Sequence, residues 1–232
     1  IFFQNEENVR FFEQHNMMPK KSHVCLLPGS GVNLKTYPEL PYLPDDVVHF
    51  LFVARLLKEK GIGLYLSAAK RIVQNHSNVM FHICGGCDDH KYLDAVKEAE
   101  NAGYMQYHGE QKNMLPYFQM AHCVVHPSYY PEGMSNVLLE AAASGRPVIA
   151  TDRSGCRETV DEGKTGYLIP VRDEDALVQA LEDFLNLTWK ERAELGHAGR
   201  LKMEHEFDRQ IVVQKYLDIL ETYRTSLCEV RG

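Results

Sequence analysis

One stretch concentrates residue types able to hold an anionic, hydroxyl-rich ligand: Pro127-Ser128-Tyr129-Tyr130-Pro131-Glu132-Gly133-Met134-Ser135-Asn136-Val137-Leu138-Leu139-Glu140-Ala141. A loop carrying Glu132 runs into a helix for which Ser135 is a suitable N-cap. The first amides of that helix, from about Met134 to Val137, lack partners within it and form a ready site for anionic oxygen. Asn136 and Glu140 are four apart and share a face, while Val137, Leu138 and Ala141 turn into packing. Glu140 is a lone carboxylate in an otherwise apolar helix. Burying an unpaired charge is costly unless hydrogen-bond donors meet it, and sugar hydroxyls are such donors. A surface glutamate on an amphipathic helix would account for Glu140 by itself, but for neither Glu132 nor the cations that precede it.

Those cations stand in Arg55-Leu56-Leu57-Lys58-Glu59-Lys60-Gly61. Arg55 and Lys60, five apart before a helix, can clamp a diphosphate, the one as a planar fork and the other as a point charge; in isolation a solvated basic turn would be the better reading. Gly85-Gly86 and Gly109 let a backbone approach a ligand closely. The absence of G-x-G-x-x-G after a strand argues against a dinucleotide-dependent dehydrogenase. Of the six cysteines, Cys84 and Cys87 have redox or zinc spacing but no second pair, so buried, reduced thiols are the plainer reading. His122 and His126 would share a face of a strand and could ligate a metal, although packed histidines fit Ala-His-Cys-Val-Val-His-Pro better.

These groups need a scaffold, and the chain alternates strands with helices. Strands are expected at Val47–Ala54, Val79–Cys84, Tyr104–His108, His122–His126, Pro147–Ala150 and Gly166–Pro170. Helices are expected at Gly61–Gln74, Asp89–Asn101, near Asn113–Gln119, from Ser135 to Ser144, and at Asp173–Asn186, Thr188–Glu206 and Asp208–Tyr223. Such alternation gives an α/β, Rossmann-like parallel sheet with helices on both faces, and ligands then bind beyond the carboxyl ends of the strands. The turns listed above stand at that edge.

The 232 residues are 44% hydrophobic and 25% charged, a composition of a folded globular chain, for which one domain is expected. The formal charge of -7 argues against nucleic acid. No apolar run approaches the ~20 residues of a membrane span, and Ile1-Phe2-Phe3 is followed by polar residues rather than a signal core. The expected address is cytoplasmic, or peripheral at the inner face of a membrane. The first residue is Ile, from which a missing upstream part is expected.

Glu132 and Glu140, within Pro-Glu-Gly-Met-Ser-Asn-Val-Leu-Leu-Glu-Ala, resemble the paired-glutamate signature of retaining, GT-B-fold glycosyltransferases that use nucleotide sugars. Three further segments match in order. Pro28-Gly29-Ser30-Gly31-Val32-Asn33 resembles the interdomain segment, and Val53-Ala54-Arg55-Leu56 to Lys60-Gly61 resembles the Gly-Arg-Leu to Lys-Gly turn, with Ala54 where the family often has Gly. Gly163-Lys164-Thr165-Gly166-Tyr167-Leu168 resembles the Gly-x-x-Gly-x-Leu turn. The resemblance runs from about residue 20 to 225 and covers the donor-binding, C-terminal half of the GT-B fold. It implies that residues 1–20 are the tail of a missing N-terminal domain with its linker, and that 21–232 form the nucleotide-sugar-binding domain.

The resemblance also implies roles. Arg55 and Lys60 would bind the donor diphosphate and stabilise the leaving nucleoside diphosphate in place of a metal. Glu132 would hold donor-sugar hydroxyls with the amides of Gly133, Met134, Ser135 and Asn136 nearby. Glu140 would grip the ribose, and Gly29, Ser30 and Gly31 would approach the phosphates. The expected reaction is sugar transfer from a UDP- or GDP-linked donor to an acceptor hydroxyl, in surface polysaccharide or glycolipid synthesis, without cofactor or metal. The acceptor glycan or lipid-linked sugar, and any membrane contact, would be met through the missing domain. A sugar-nucleotide epimerase, a phosphorylase and a non-catalytic nucleotide-sugar-binding module are the alternatives.

Overall fold

The computed structural model describes residues 1–19, 21–44, 46–87 and 90–229. A short parallel pair, β1 (Phe2–Phe3) and β2 (Cys25–Leu26), brackets α1 (Glu6–Gln14). Then follow β3 (Val48–Val53), α2 (Ile62–Ile72), β4 (Val79–Cys84), α3 (His90–Asn101), β5 (Met105–Tyr107), α4 (Leu115–Met120) and β6 (Cys123–His126). The chain continues through α5 (Asn136–Ala143), β7 (Val148–Thr151), β8 (Gly166–Ile169), α6 (Glu174–Asn186), α7 (Trp189–Glu206) and α8 (Arg209–Glu229).

Strands β3 to β8 form one parallel sheet in the order β5-β4-β3-β6-β7-β8, in register Phe50↔Phe81 and Phe50↔Cys123 at its centre. The chain therefore builds outward from β3 through β4 to β5, then returns to the other side of β3 with β6 and builds outward again. The order reverses between β3 and β6, and there the two connections leave in opposite directions and open a crevice above the strand ends.

Both faces are covered, as near-continuous apolar strands require. Phe50, Phe52, Phe81 and Ile149 pack on one face against Tyr65 and Ile72 of α2 and Leu181 and Phe184 of α6. Leu51, Val53, Val124 and Val148 pack on the other against Phe118 of α4 and Leu138 and Ala141 of α5. Asp173 caps α6 by accepting from Ala176 N–H at 2.9 Å, and Thr188 and Glu191 cap α7 reciprocally. Thr188→Ala removes the hydroxyl half of that box and should lower the unfolding free energy by about 1 kcal/mol, readable as a shifted urea midpoint at constant slope.

Several boundaries differ from those expected. Gly61 is not a helical residue but the left-handed residue (φ 80°) that caps α2. β6 starts at Cys123, one residue later than expected: the His122 N–H still donates to the His49 carbonyl at 2.8 Å, but the return bond from the His49 N–H goes to the His122 ring instead of its backbone. The third closing helix runs past Tyr223 to Glu229. The expected start of a helix at Asp89 lies outside the described residues. Helix α1, capped by the Asn5 side chain on Asn8 N–H at 2.8 Å, was not anticipated. Among the described residues no helix is long and apolar enough to cross a membrane.

Candidate functional site

The turns after β3 and β6 meet over the crevice. Gly61 closes the turn after β3, and a Cβ there would stand 2.2 Å from the Pro127 carbonyl oxygen, so only glycine permits this approach. The Tyr129 and Tyr130 amides donate to the Glu59 carbonyl at 2.9 and 3.1 Å, tying the second turn onto the first. Across this seam the Lys60 ammonium hydrogen-bonds and ion-pairs with the Glu132 carboxylate, and it lies 4.9 Å from the centre of the Tyr130 ring.

Glu132 is largely enclosed, with 14% of its side chain exposed. Burial pulls its pKa upward, but His126, whose Nε2 is 3.8 Å away, and Lys60 outweigh burial and hold it at about 2. The carboxylate is thus fixed in its ionised form at one wall of the crevice. Ser135 occupies the N-cap position of α5 but makes no capping bond; its hydroxyl lies 3.3 Å from His126 Nε2 instead. The expected cap is thereby replaced by a link to β6. No side chain caps α5, and of the amides expected to face a ligand that of Ser135 is already taken, donating to the Gly155 carbonyl at 2.7 Å.

The glycine-rich segment before β3 folds against the same helix end. Ser30 donates to Asn136 Oδ1 at 2.9 Å, and a Cβ on Gly29 (φ 63°) would fall 2.6 Å from Met134 Cβ. A Cβ on Gly31 would instead meet Arg209 at the start of α8. Gly29 therefore meets Met134, and Ser30 meets Asn136, on either side of Ser135. Gly133 is met from elsewhere: Asn5 donates to its carbonyl at 2.8 Å and to that of Glu132 at 3.3 Å.

Beside this seam is a cleft of about 270 Å³, lined by Arg55, Gly85, Gly86, Glu110, Gln111 and Glu140 among others. Burial raises the Glu140 pKa above the usual carboxylate range, partly offset by a hydrogen bond from the Tyr37 hydroxyl and by Arg209. Glu140 is consequently not the unpartnered carboxylate that its helix suggested. Burial and the nearby Glu140 push Tyr37 up to about 12, so it stays a donor. The sequence-identified residues thus fall into two adjoining groups, Arg55 with Glu140 in the cleft and Lys60 with Glu132 at the seam. Lys60 is neutralised by Glu132 rather than standing beside Arg55 as a free second cation.

Sequence reasoning missed Tyr37, His126 as a partner of Glu132, and Asn5. Nothing in the spacing marks Tyr37 or Asn5, which reach the site from far along the chain; His126 was signalled by its place at a strand end. His122 and His126 do not converge on a metal, and among the described residues no group of three or more His, Cys, Asp and Glu could hold one. A larger hollow, about 840 Å³, lies between α1 and the start of α8.

Residues 41–202 match the sequence family described as Glycosyl transferases group 1. Spore coat protein SA of Bacillus subtilis is 30% identical over 221 residues, covering 84% of this chain and 58% of that protein. The capsular polysaccharide biosynthesis glycosyltransferase CapM of Staphylococcus aureus is 27% identical over 186 residues, covering 78% of this chain and 47% of that protein. Among solved structures, sucrose-phosphate synthase from Thermosynechococcus elongatus superposes with a TM-score of 0.80 at 25% identity, covering 98% of this chain and 58% of that one. Anabaena Alr3699/HepE in complex with UDP superposes with a TM-score of 0.81 at 18% identity, covering 95% of this chain and 63% of that one. The chain spans about half the length of the curated relatives it matches.

Proposed function

The chain belongs to the glycosyl transferases group 1 family, with the C-terminal-type domain of the GT-B fold, and on that premise we propose that it is the donor-binding half of a retaining glycosyltransferase. The observation that carries this reading is the seam at the sheet's switch point, where a fixed cation, an ionised carboxylate and an uncapped helix end adjoin a cleft with a second cation, Arg55, and a second glutamate, Glu140.

In this reading the nucleoside lies in the cleft, its ribose hydroxyls on Glu140 and its base toward Gly85 and Gln111. The diphosphate spans from the cleft to the first amides of α5, within reach of Arg55, Lys60 and the segment of Gly29, Ser30 and Gly31. Glu132 orients the donor sugar with Gly133 to Asn136. Charge develops on the leaving phosphate as the anomeric bond breaks, and fixed cations and helix amides stabilise it without reorganising. The acceptor hydroxyl attacks on the face the phosphate leaves and gives it the proton, which gives retention and asks no general base of either glutamate. The UDP complex of the Anabaena neighbour supports uridine as the base, and the CapM likeness supports a surface-glycan acceptor.

The experiment is a transfer assay on the full-length enzyme with UDP- and GDP-sugars, reading the product's anomeric configuration by proton NMR. A product keeping the donor's anomeric configuration supports the reading, an inverted product overturns retention, and donor binding without transfer favours a binding module. Activity should also persist in excess EDTA, because Arg55, Lys60 and α5 take the electrostatic role of a metal; loss restored by magnesium or manganese would remove the diphosphate assignment.

A further inference from the structure

Outside that seam, four histidines stand side by side across four neighbouring strands: His108 just past β5, His82 on β4, His49 on β3 and His122 just before β6. His49 Nδ1 lies 2.8 Å from His82 Nε2, and His82 Nδ1 lies 3.0 Å from His108 Nε2. The rings stack in turn, with centres 5.1 to 5.6 Å apart from His49 to His82, His82 to His108 and His49 to His122. His122 is fixed separately. Its Nδ1 accepts from the His49 backbone at 3.1 Å, so its proton sits on Nε2, which donates to the Pro44 carbonyl at 3.0 Å.

The pairing rules limit what this ladder can hold. A neutral imidazole has one donor and one acceptor, so the two nitrogen-to-nitrogen rungs of His49, His82 and His108 are both satisfied when all three point their protons the same way. One added proton can be placed on any ring with both rungs kept. A second sets N–H against N–H and breaks a rung.

The surrounding charges decide where the first proton goes. Near His122 the cations Arg146 and Arg192 disfavour it, whereas Glu100 of α3 favours His108. Tyr117 of α4 lies against the His108 ring, Tyr42 lies edge-on to His122, and from α2 the Tyr65 hydroxyl donates to the His82 carbonyl. The neighbouring Cys84 thiol is kept neutral by burial. Burial holds all four imidazoles below their usual range, His82 at about 3, where His49 and His108 add to the lowering, and His122 at about 4, where the hydrogen bond to Pro44 opposes it and His49 and the two arginines add to it.

The ladder ends at the wall of the cleft. His108 N–H donates to the Ile83 carbonyl at 2.9 Å, the Gly109 carbonyl accepts from Gly85 N–H at 2.8 Å, and Gln111 donates its side-chain amide to the His108 carbonyl. Glu110 and Gln111 line the cleft together with Gly85 and Gly86. We propose that the imidazole ladder is a positioning device, in which His49 and His82 hold His108, and His108 holds the 109–111 wall against which the nucleoside seats. This rests on the reading of the cleft as the nucleoside site.

Two measurements on the 232-residue chain test it. Imidazole nitrogen NMR from pH 8 to 5 should show His82 and His122 neutral throughout and at most one proton gained by the three ladder rings. Titration of His82 near pH 6.5, or uptake of two protons by the three rings, would overturn the ladder whatever binds in the cleft. UDP titration of His108→Ala should then show about a tenfold loss of affinity. His108→Gln, whose amide nitrogen reaches the place of Nε2, should stay within threefold of the parent. Parent-like binding by H108A, or equal losses in both variants, would overturn the positioning role while the cleft assignment stands. Failure of the unaltered chain to bind UDP would overturn the cleft assignment and the positioning role with it, leaving the NMR result as a property of the sheet alone.

Discussion

Lys60→Ala should weaken UDP binding by about 1.5 to 3 kcal/mol, roughly 10- to 150-fold, the loss of a charge-assisted hydrogen bond to phosphate. It should also destabilise the fold, because Lys60 is the ion-pair partner of a Glu132 carboxylate that is 14% exposed, and removing one partner leaves the other charge enclosed and unpaired. The two effects separate by measurement. Calorimetric titration with UDP reads the first and urea unfolding without ligand reads the second, and parent-like affinity in folded K60A would remove Lys60 from the diphosphate site.

Glu132→Gln is expected to lower the unfolding free energy at neutral pH by about 2 to 3 kcal/mol, a fall of roughly 5 to 10 °C in Tm for a chain of this size. The sign follows from the depressed pKa. The carboxyl is held at about 2 against an ordinary 4.5, so its contribution is complete above pH 4.5 and is lost as pH falls toward 2. Urea midpoints of the parent and E132Q, taken from pH 6 down to pH 3, should therefore converge as acid is added. A gap that stays constant with pH would show that the ion pair contributes nothing through its charge.

How much of this was legible in the sequence depends on the range over which each contact acts. Sheet and helices were readable because Val48–Val53, Val79–Cys84 and Cys123–His126 are short apolar runs bounded by turn residues, and Asp173 and Thr188 announce the helices behind them. The two turns carrying Arg55, Lys60, Glu132 and Glu140 were readable for the same reason, since alternation sends both to one edge of a parallel sheet. What could not be read was pairing across that edge. Whether Lys60 meets Arg55, a phosphate or Glu132 depends on the close approach of Gly61 to Pro127, where an added Cβ would stand 2.2 Å from the carbonyl oxygen, a tertiary contact with no sequence period. Tyr37 reaches Glu140 from about a hundred residues away, and Asn5 reaches Gly133 from further still. The histidine ladder is likewise invisible in sequence, because His49, His82 and His108 become neighbours only through strand order and register.

The central claim is that the crevice between β3 and β6 takes a nucleoside diphosphate, and backbone amide NMR of the 232-residue chain titrated with UDP in EDTA tests it most directly. The account predicts saturable shifts at Arg55, Gly85, Gly86 and Gln111 and in the first turn of α5, all weakened together in Lys60→Ala. Shifts confined to the hollow between α1 and α8, where Arg10, Arg157 and Lys215 also offer cations, would contradict it, as would no shift at millimolar UDP.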